Sequence, residues 1–237
     1  MIELISKCND FLKDCGVTYV FCGGYALELF ANKKIRTHSD IDISIFDEDR
    51  EKFIDFLLQK GWNAYEPVSN PKSLAAITHS GNGRASKSQC VWAIKPGCTF
   101  FKIEPKHIEG DIFNYEILSG EQLEFDFMEI IFNKYQDDKF ICSKDKNIIR
   151  ELEKSILYNN GIPYLAPELI LFICANPAYM ESDYHKEKNQ MDFDFTAPLL
   201  SKDSREWLIN AIEAAYPKGN KRLDNLNKLA TDTGYKY

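Results

Sequence analysis

The chain has 237 residues, 44% of them hydrophobic and 27% charged, a balance that is ordinary for a folded protein and too apolar for a disordered one. This length allows one large domain or a medium domain with a smaller partner. The formal net charge of −7 disfavours a nucleic-acid partner, because nucleic-acid binders usually carry a basic face. We find no apolar run long enough to span a bilayer and no signal-peptide core, so we expect a cytoplasmic protein without a membrane partner.

The N-terminal segment predicts two helices around a strand. Apolar residues at helical spacing indicate a helix over 2–15, and the β-branched and aromatic run 17–22 indicates a buried strand. The strand stops at Gly23 and Gly24, and a second helix is expected over 25–32.

Residues 37–46 alternate between apolar and polar side chains. The isoleucines of this run occupy one face, and Asp40, Asp42 and Ser44 occupy the other, as expected for a strand with an acidic face. A helix with an acidic first turn is predicted over 47–60.

The remaining signals are weaker in the middle of the chain. Strands are predicted near 90–94, 111–118 and 123–132, and the Ser-, Asn- and Gly-rich segment 70–88 predicts a long loop. After residue 148 the strand signals fade, and helices are predicted over 166–175, 204–216 and 221–230.

The turn cluster at 159–163 predicts a domain boundary, which divides the chain into residues 1–158 and 159–237. The predicted fold class is α+β: a mixed β-sheet flanked by helices, followed by a smaller C-terminal helical domain.

The seven cysteines and four histidines are widely scattered and lack the paired spacing of zinc sites. We therefore expect reduced thiols, most of them buried.

The acidic strand is the first candidate for chemistry. Two aspartates at i and i+2 share a face, so Asp40 and Asp42 could together offer Mg²⁺ the hard oxygen ligands it prefers. Taken alone, such a pair is more often the solvent face of a strand. The preceding Gly23 and Gly24 strengthen the functional interpretation, because a diglycine lets backbone amides approach an anion at a helix N-terminus.

The stretch from Phe21 to Phe30, followed by Arg36 to Ile43, resembles the polymerase-beta-like nucleotidyltransferase superfamily. More narrowly, it is similar to the aminoglycoside 2''-adenylyltransferases and lincosamide nucleotidyltransferases, in which Gly-Gly-x-Ala precedes an Arg-x-His-x-Asp-hydrophobic-Asp strand. Segments 161–168 and 188–193 also resemble members of that branch, whereas the middle of the chain is poorly covered.

The resemblance implies an enzyme that transfers a nucleoside monophosphate, AMP from ATP in the first instance, to a hydroxyl of a small molecule such as an aminoglycoside or lincosamide antibiotic. It makes residues 1–158 the catalytic domain and implies two Mg²⁺ ions, with ATP or another NTP as co-substrate. The implied nucleotide- and phosphate-binding residues are Gly23, Gly24, Arg36, Ser39 and Lys188.

The family pattern requires a third carboxylate on a later strand. In segment 123–133, the family's hydrophobic-Glu-hydrophobic-hydrophobic-hydrophobic-Asn pattern selects Glu129 as the third metal ligand and catalytic residue beside Asp40 and Asp42. Strand parity places Glu129 on the face opposite Asp126, and we favour Glu129, a choice that depends on the register.

Several roles stay open at this level. The general base is unresolved among Asp126, Glu124 and Asp111. Arg36 and Lys188 could equally be solvated surface residues, and His38 could shape the turn rather than contact a phosphate. The acceptor pocket is expected between the two domains.

Two other functions compete with transfer to a small molecule. A toxin-like transferase that modifies tRNA or a protein hydroxyl would need a basic groove, for which the candidates are Lys72, Arg84, Lys87, Lys95, Lys102 and Lys106. A non-catalytic nucleotide-binding relative is disfavoured by the intact acidic pair, because inward-facing acids are costly without a cation. The acceptor, the nucleotide preference and the oligomeric state stay open.

Overall fold

The computed structural model describes residues 2–68, 73–81, 87–106, 110–143, 146, 148–183 and 185–232. Contacts between Cα atoms divide the chain into two compact units. Unit 1 contains Met1–Tyr25 and Thr37–Tyr135, and unit 2 contains Ala26–Arg36 and Gln136–Tyr237. These boundaries differ from the predicted division into residues 1–158 and 159–237, which stays a prediction.

Unit 1 combines a sheet with helices. Its elements are α1 (Ile2–Leu12), β1 (Tyr19–Phe21), the start of α2 (Gly23–Ala31), β2 (Asp42–Phe46), a 3-10 turn (Asp47–Asp49), α3 (Arg50–Gln59), β3 (Asn63–Val68), β4 (Ser73–Ile77), β5 (Cys90–Ile94), β6 (Phe101–Pro105), β7 (Ile112–Ile117) and β8 (Phe127–Gln136). The helix α2 continues into unit 2.

The strands of unit 1 lie in the order β1-β2-β8-β5-β3-β4-β7-β6. The pair β2–β8 is parallel, and the other neighbours along this order are antiparallel. A parallel pair needs a long crossover between its strands, here the whole segment from the end of β2 to the start of β8. The predicted α+β class with a mixed sheet flanked by helices is confirmed.

The strand β2 is buried more completely than its alternating sequence suggests. Ile41, Ile43 and Ile45 are at most 1% exposed, as predicted for the apolar face. Ser44 on the other face is also buried, and its hydroxyl is satisfied there by a hydrogen bond of 2.8 Å from the Asn133 side chain. The regular strand begins at Asp42, so the predicted start at residue 37 is wrong.

The predicted loop 70–88 contains the strand β4, which the sequence analysis missed. β4 pairs with β3 on one side and β7 on the other, and Leu74 and Ala75 are fully buried there. Burial between two neighbours thus overrides the polar flanking sequence. Residues 70–72 and 82–86 of this predicted loop lie outside the described residues.

Unit 2 is mostly helical but also contains short strands. Its further elements are β9 (Lys139–Ile141), β10 (Ile149–Glu151), α4 (Leu152–Ser155), β11 (Ile156–Asn159), β12 (Ile162–Leu165), α5 (Pro167–Cys174), α6 (Pro177–Glu181), α7 (Lys186–Thr196), a 3-10 turn (Ala197–Leu199), α8 (Lys202–Ala215) and α9 (Lys221–Asp232). The predicted helical C-terminal part is present.

The turn cluster at 159–163 forms a hairpin. Strands β11 and β12 pair antiparallel across it, and the central residues Asn160 and Gly161 have φ of 50° and 78°. Positive φ at both central residues is the type I′ pattern of two-residue hairpins. The expectation that strands end before residue 148 is therefore wrong.

In the described part of the chain, no helix combines the length and the apolar character needed to cross a membrane. All seven cysteines are free thiols, and five of them are buried, which confirms the predicted thiol state.

A buried ion pair anchors α5 in unit 2. Arg150 forms a salt bridge with Glu168, and the two side chains are only 4% and 2% exposed. Glu168 also accepts a hydrogen bond of 3.1 Å from the Ser204 hydroxyl on α8. Segment 161–168 carries part of the sequence resemblance. Its last residue, Glu168, therefore has a structural role.

We expect Glu168→Ala to lower the free energy of unfolding by about 3–5 kcal/mol, because it leaves the Arg150 guanidinium buried without its partner. Urea denaturation measures this change. Asp203→Ala is the matched control: Asp203 lies 4.0 Å from Arg150 but is 72% exposed, so its loss should cost less than about 1 kcal/mol. Equal effects of the two variants would contradict the assignment.

Candidate active site

Three carboxylates meet at the start of the parallel pair β2–β8. The register places Asp42 directly opposite Glu129, so both side chains emerge on the same face. Asp40 lies two residues ahead of Asp42, and one carboxylate oxygen from each of the three residues lies within 4.8 Å of the others. All three residues are partly exposed.

The negative field of this group reaches the neighbouring strand. Cys22 follows β1, and its backbone N–H donates a 2.9 Å hydrogen bond to the Asp42 carbonyl. Burial, followed by the charges of Asp42, Glu129 and Asp40, raises the pKa of the Cys22 thiol well above its usual value. The thiol therefore stays protonated and adds no charge to the group.

Gly23 packs directly against the Asp42 carboxylate. A Cβ atom at this position would lie 1.8 Å from Asp42 Oδ2 and 2.7 Å from Asp42 Cγ. Gly23 also has φ of 60°, which L side chains rarely adopt. Two independent constraints thus require glycine here.

The helix α2 begins at Gly23, so the diglycine forms its first turn. The first backbone N–H groups of a helix lack intrahelical acceptors and attract anions. Ser39, another predicted phosphate-binding residue, donates from its hydroxyl to Asp40 Oδ1 over 3.2 Å. Ser39 therefore contacts the carboxylate group directly.

His38 is packed into the turn before β2. Its ring lies on that of Tyr25, with centroids 4.1 Å apart and planes tilted by 30°, and it is only 4% exposed. The Gln122 backbone N–H donates to the His38 carbonyl over 2.9 Å. These contacts support the turn-shaping alternative for His38, and they add Tyr25, which the sequence analysis did not single out.

Asp126, the alternative third carboxylate, is bound elsewhere. Its Oδ2 accepts hydrogen bonds from the Thr99 backbone N–H at 2.9 Å and the Thr99 hydroxyl at 3.2 Å. Among the described residues, the group that can hold a metal includes Glu129 and not Asp126. The other general-base candidates, Glu124 and Asp111, are exposed.

Arg36 and Lys188 belong to unit 2. The Arg36 guanidinium binds Asp192 in a bidentate pair, with Nε–Oδ1 and Nη2–Oδ2 distances of 2.9 Å. Asp192 is 4% exposed, so this is a buried pair and Arg36 is not a solvated loop residue. Lys188 precedes Asp192 by one turn on α7 and is partly buried. Their phosphate-binding roles stay predictions.

A separate cavity of about 980 Å³ lies in unit 2, between α7 and the start of α9. It is lined by acidic side chains such as Glu181 and Asp194 and by basic ones such as Lys186 and Arg222. Among the described residues, those that line it include no predicted site residue. We therefore place the candidate chemistry at the three carboxylates.

Carboxylates that converge on a metal position, next to a helix N-terminus that attracts anions, are typical of enzymes that transfer phosphoryl or nucleotidyl groups. Residues 4–75 match the family model described as aminoglycoside-2''-adenylyltransferase. The matched segment contains Gly23, Gly24, Asp40 and Asp42. The match confirms the predicted resemblance and the predicted enzyme class, a nucleotidyltransferase.

The chain is also similar to several solved structures. The antibiotic-resistance factor ANT(2'')-Ia in solution is 14% identical, with a TM-score of 0.47 over 92% of this chain and 93% of that chain. The lincosamide antibiotic adenylyltransferase LnuA with bound lincomycin is 17% identical, with a TM-score of 0.44 over 80% and 95%. ANT(2'')-Ia in complex with adenylyl-2''-tobramycin is 12% identical, with a TM-score of 0.46 over 90% and 98%. No curated protein matches the chain.

We expect Gly23→Ala to weaken Mn²⁺ binding by at least about tenfold, because the new Cβ would displace the Asp42 carboxylate. Isothermal titration calorimetry with Mn²⁺ measures the affinity. Gly61→Ala is the matched control. Gly61 also has a positive φ, of 78°, but a Cβ atom added there would have no other atom within 4 Å. That variant should lose a little stability and keep its Mn²⁺ affinity. Unchanged Mn²⁺ binding in folded Gly23→Ala would contradict the steric role.

Proposed function

We propose that the protein is a Mg²⁺-dependent nucleotidyltransferase that moves AMP from ATP to a hydroxyl of a small molecule such as an aminoglycoside or lincosamide antibiotic. The observation that carries the proposal is the convergence of Asp40, Asp42 and Glu129 within 4.8 Å, beside the start of α2. The family match over residues 4–75 supports the adenylyl group and the antibiotic acceptor. Modification of such a drug would confer resistance in the cytoplasm, where free thiols persist.

The donor set fits magnesium. Three carboxylates supply hard oxygen ligands, which are the ligands that Mg²⁺ prefers. Asp40, Asp42 and Glu129 would hold two Mg²⁺ ions. Bound Mg²⁺ supplies charge neutralisation for the triphosphate and activation of the attacking hydroxyl.

The backbone amides of Gly23 and Gly24 are proposed to bind the triphosphate, because they open α2 next to Asp42. Ser39 is proposed to orient the Asp40 carboxylate and to contact a phosphate through its hydroxyl. We retain Arg36 and Lys188 as proposed phosphate-binding residues. Residues 1–158 are the proposed catalytic domain, and residues 159–237 are the proposed helical domain.

The alternative in which the acceptor is a tRNA or a protein depends on a basic groove. Of its candidate residues, Lys95 donates to the Phe125 carbonyl at 2.6 Å, and Lys102 pairs with Glu104 at 3.0 Å. Lys72 and Arg84 lie outside the described residues. Lys95 and Lys102 therefore already have partners within the chain.

We expect Asp42→Asn and Glu129→Gln each to lower kcat by at least about 100-fold, because each removes a charged metal ligand while keeping the shape of the side chain. Pyrophosphate release with Mg²⁺, ATP and tobramycin or lincomycin measures the rate.

Asp126→Asn and Glu124→Gln are the controls for these two variants. Asp126→Asn keeps an acceptor oxygen for Thr99, and Glu124 is exposed, so both variants should stay within about threefold of the wild-type rate. A loss in Asp126→Asn as large as that in Glu129→Gln would give Asp126 a catalytic role, as third ligand or as general base, and would contradict the assignment of Glu129 alone.

The acceptor class is tested with α-³²P-labelled ATP. We expect label in tobramycin or lincomycin when either is supplied, and no label in RNA or protein when the enzyme is added to a cell lysate. Label in a macromolecule that is absent with Asp42→Asn would instead establish the toxin-like alternative. ATP binding without label in any acceptor, and unchanged by Asp42→Asn, would indicate a non-catalytic relative.

A further inference from the structure

Trp92 lies directly beside the carboxylate group. It sits on β5, which pairs antiparallel with β8, and the register places Trp92 opposite Glu129. Opposite residues of an antiparallel pair share a face, and their Cβ atoms are about 4.5–5.5 Å apart. The row across this face therefore runs from Asp42 through Glu129 to Trp92, and on to Tyr65 of β3.

The indole of Trp92 is held by other aromatic rings. It stacks on Phe101 with centroids 5.3 Å apart and planes at 25°, and it makes edge contacts with Tyr115 at 5.2 Å and Phe127 at 5.3 Å. Trp92 nevertheless stays partly exposed, whereas Phe101 and Phe127 are buried. A rigid, partly exposed indole next to a metal ligand is a surface on which a ligand can stack.

The strand order indicates which reactant stacks there. Along β1-β2-β8-β5, the diglycine follows β1, Asp42 and Glu129 lie on β2 and β8, and Trp92 lies on β5. In nucleotidyl transfer the attacking and leaving oxygens lie roughly in line through the phosphorus. If the leaving pyrophosphate is bound at the diglycine, the attacking hydroxyl approaches from the opposite side of the carboxylates, the side of Trp92.

We propose that Trp92 is an acceptor-binding residue on which the acceptor's hydroxyl-bearing ring stacks. An indole is the largest aromatic side chain, and its face can contact a saturated ring or attract a nearby cation. This inference rests on the proposed nucleotidyl transfer and assigns a residue to its acceptor.

Steady-state kinetics of the full chain with Mg²⁺, ATP and either tobramycin or lincomycin test the assignment. Trp92→Phe should raise the KM for the acceptor about threefold and Trp92→Ala about tenfold, while the KM for ATP stays within about twofold. Trp207→Phe is the matched control, because Trp207 is also partly buried but packs on Arg150 in unit 2, and it should leave both values unchanged. A rise in the KM for ATP instead would assign the indole to the nucleobase and overturn the proposal.

Equilibrium dialysis with the same two probes separates this inference from the proposed reaction. If no pyrophosphate is released with either probe, the nucleotidyl transfer proposal fails for them, but binding is still measurable. A roughly tenfold loss of affinity in Trp92→Ala supports the stacking surface. Equal affinity in wild type and variant, or binding of neither probe to the wild type, overturns it. Trp92→Phe keeps the aromatic cluster and decides the question if Trp92→Ala does not fold.

Discussion

The parallel pairing of β2 with β8 is the interaction on which the site depends, because it fixes Asp42 beside Glu129. Adjacent carboxylates repel one another, and Asp40 adds a third within 4.8 Å. The acids cannot move apart easily, since the isoleucines of β2 and the apolar residues of β8 bury the strands that carry them. A bound cation would relieve this repulsion, so the packing that defines the sheet also favours the proposed metal site.

A steric constraint adds to the electrostatic one. From the sequence, the diglycine is expected to bring backbone amides to an anion, and the start of α2 at Gly23 agrees with that expectation. The structure adds a second reason for glycine, because a Cβ at Gly23 would lie 1.8 Å from Asp42 Oδ2. In the proposed reaction the diglycine would therefore contact both the triphosphate and a metal-binding carboxylate, and a substitution at Gly23 would disturb the two together.

Local patterns predicted the centre of the sheet better than its edges. The strand β5 has the predicted bounds Cys90–Ile94, and Glu129 lies on β8, whereas Asp126 lies just before it. The strand β4 was missed because its apolar core is short and its flanks are polar, so its pairing with β3 and β7 is what makes it a strand. Likewise, the buried Ser44 hydroxyl is satisfied by a hydrogen bond from Asn133, 89 residues away, which periodicity cannot reveal.

The order of the strands gives the proposed reaction a direction. The proposed phosphate-binding amides, the carboxylates and the aromatic surface follow one another across β1, β2, β8 and β5, an order that is compatible with in-line displacement. Tertiary pairing creates this order, since Gly23, Glu129 and Trp92 come from distant parts of the sequence. Trp92 carried no signal in the sequence, because a single tryptophan in an apolar strand is usually a core residue. Its register opposite Glu129 places it beside the proposed metal ligands: a shift of β5 by one residue would turn the indole to the other face and remove this surface.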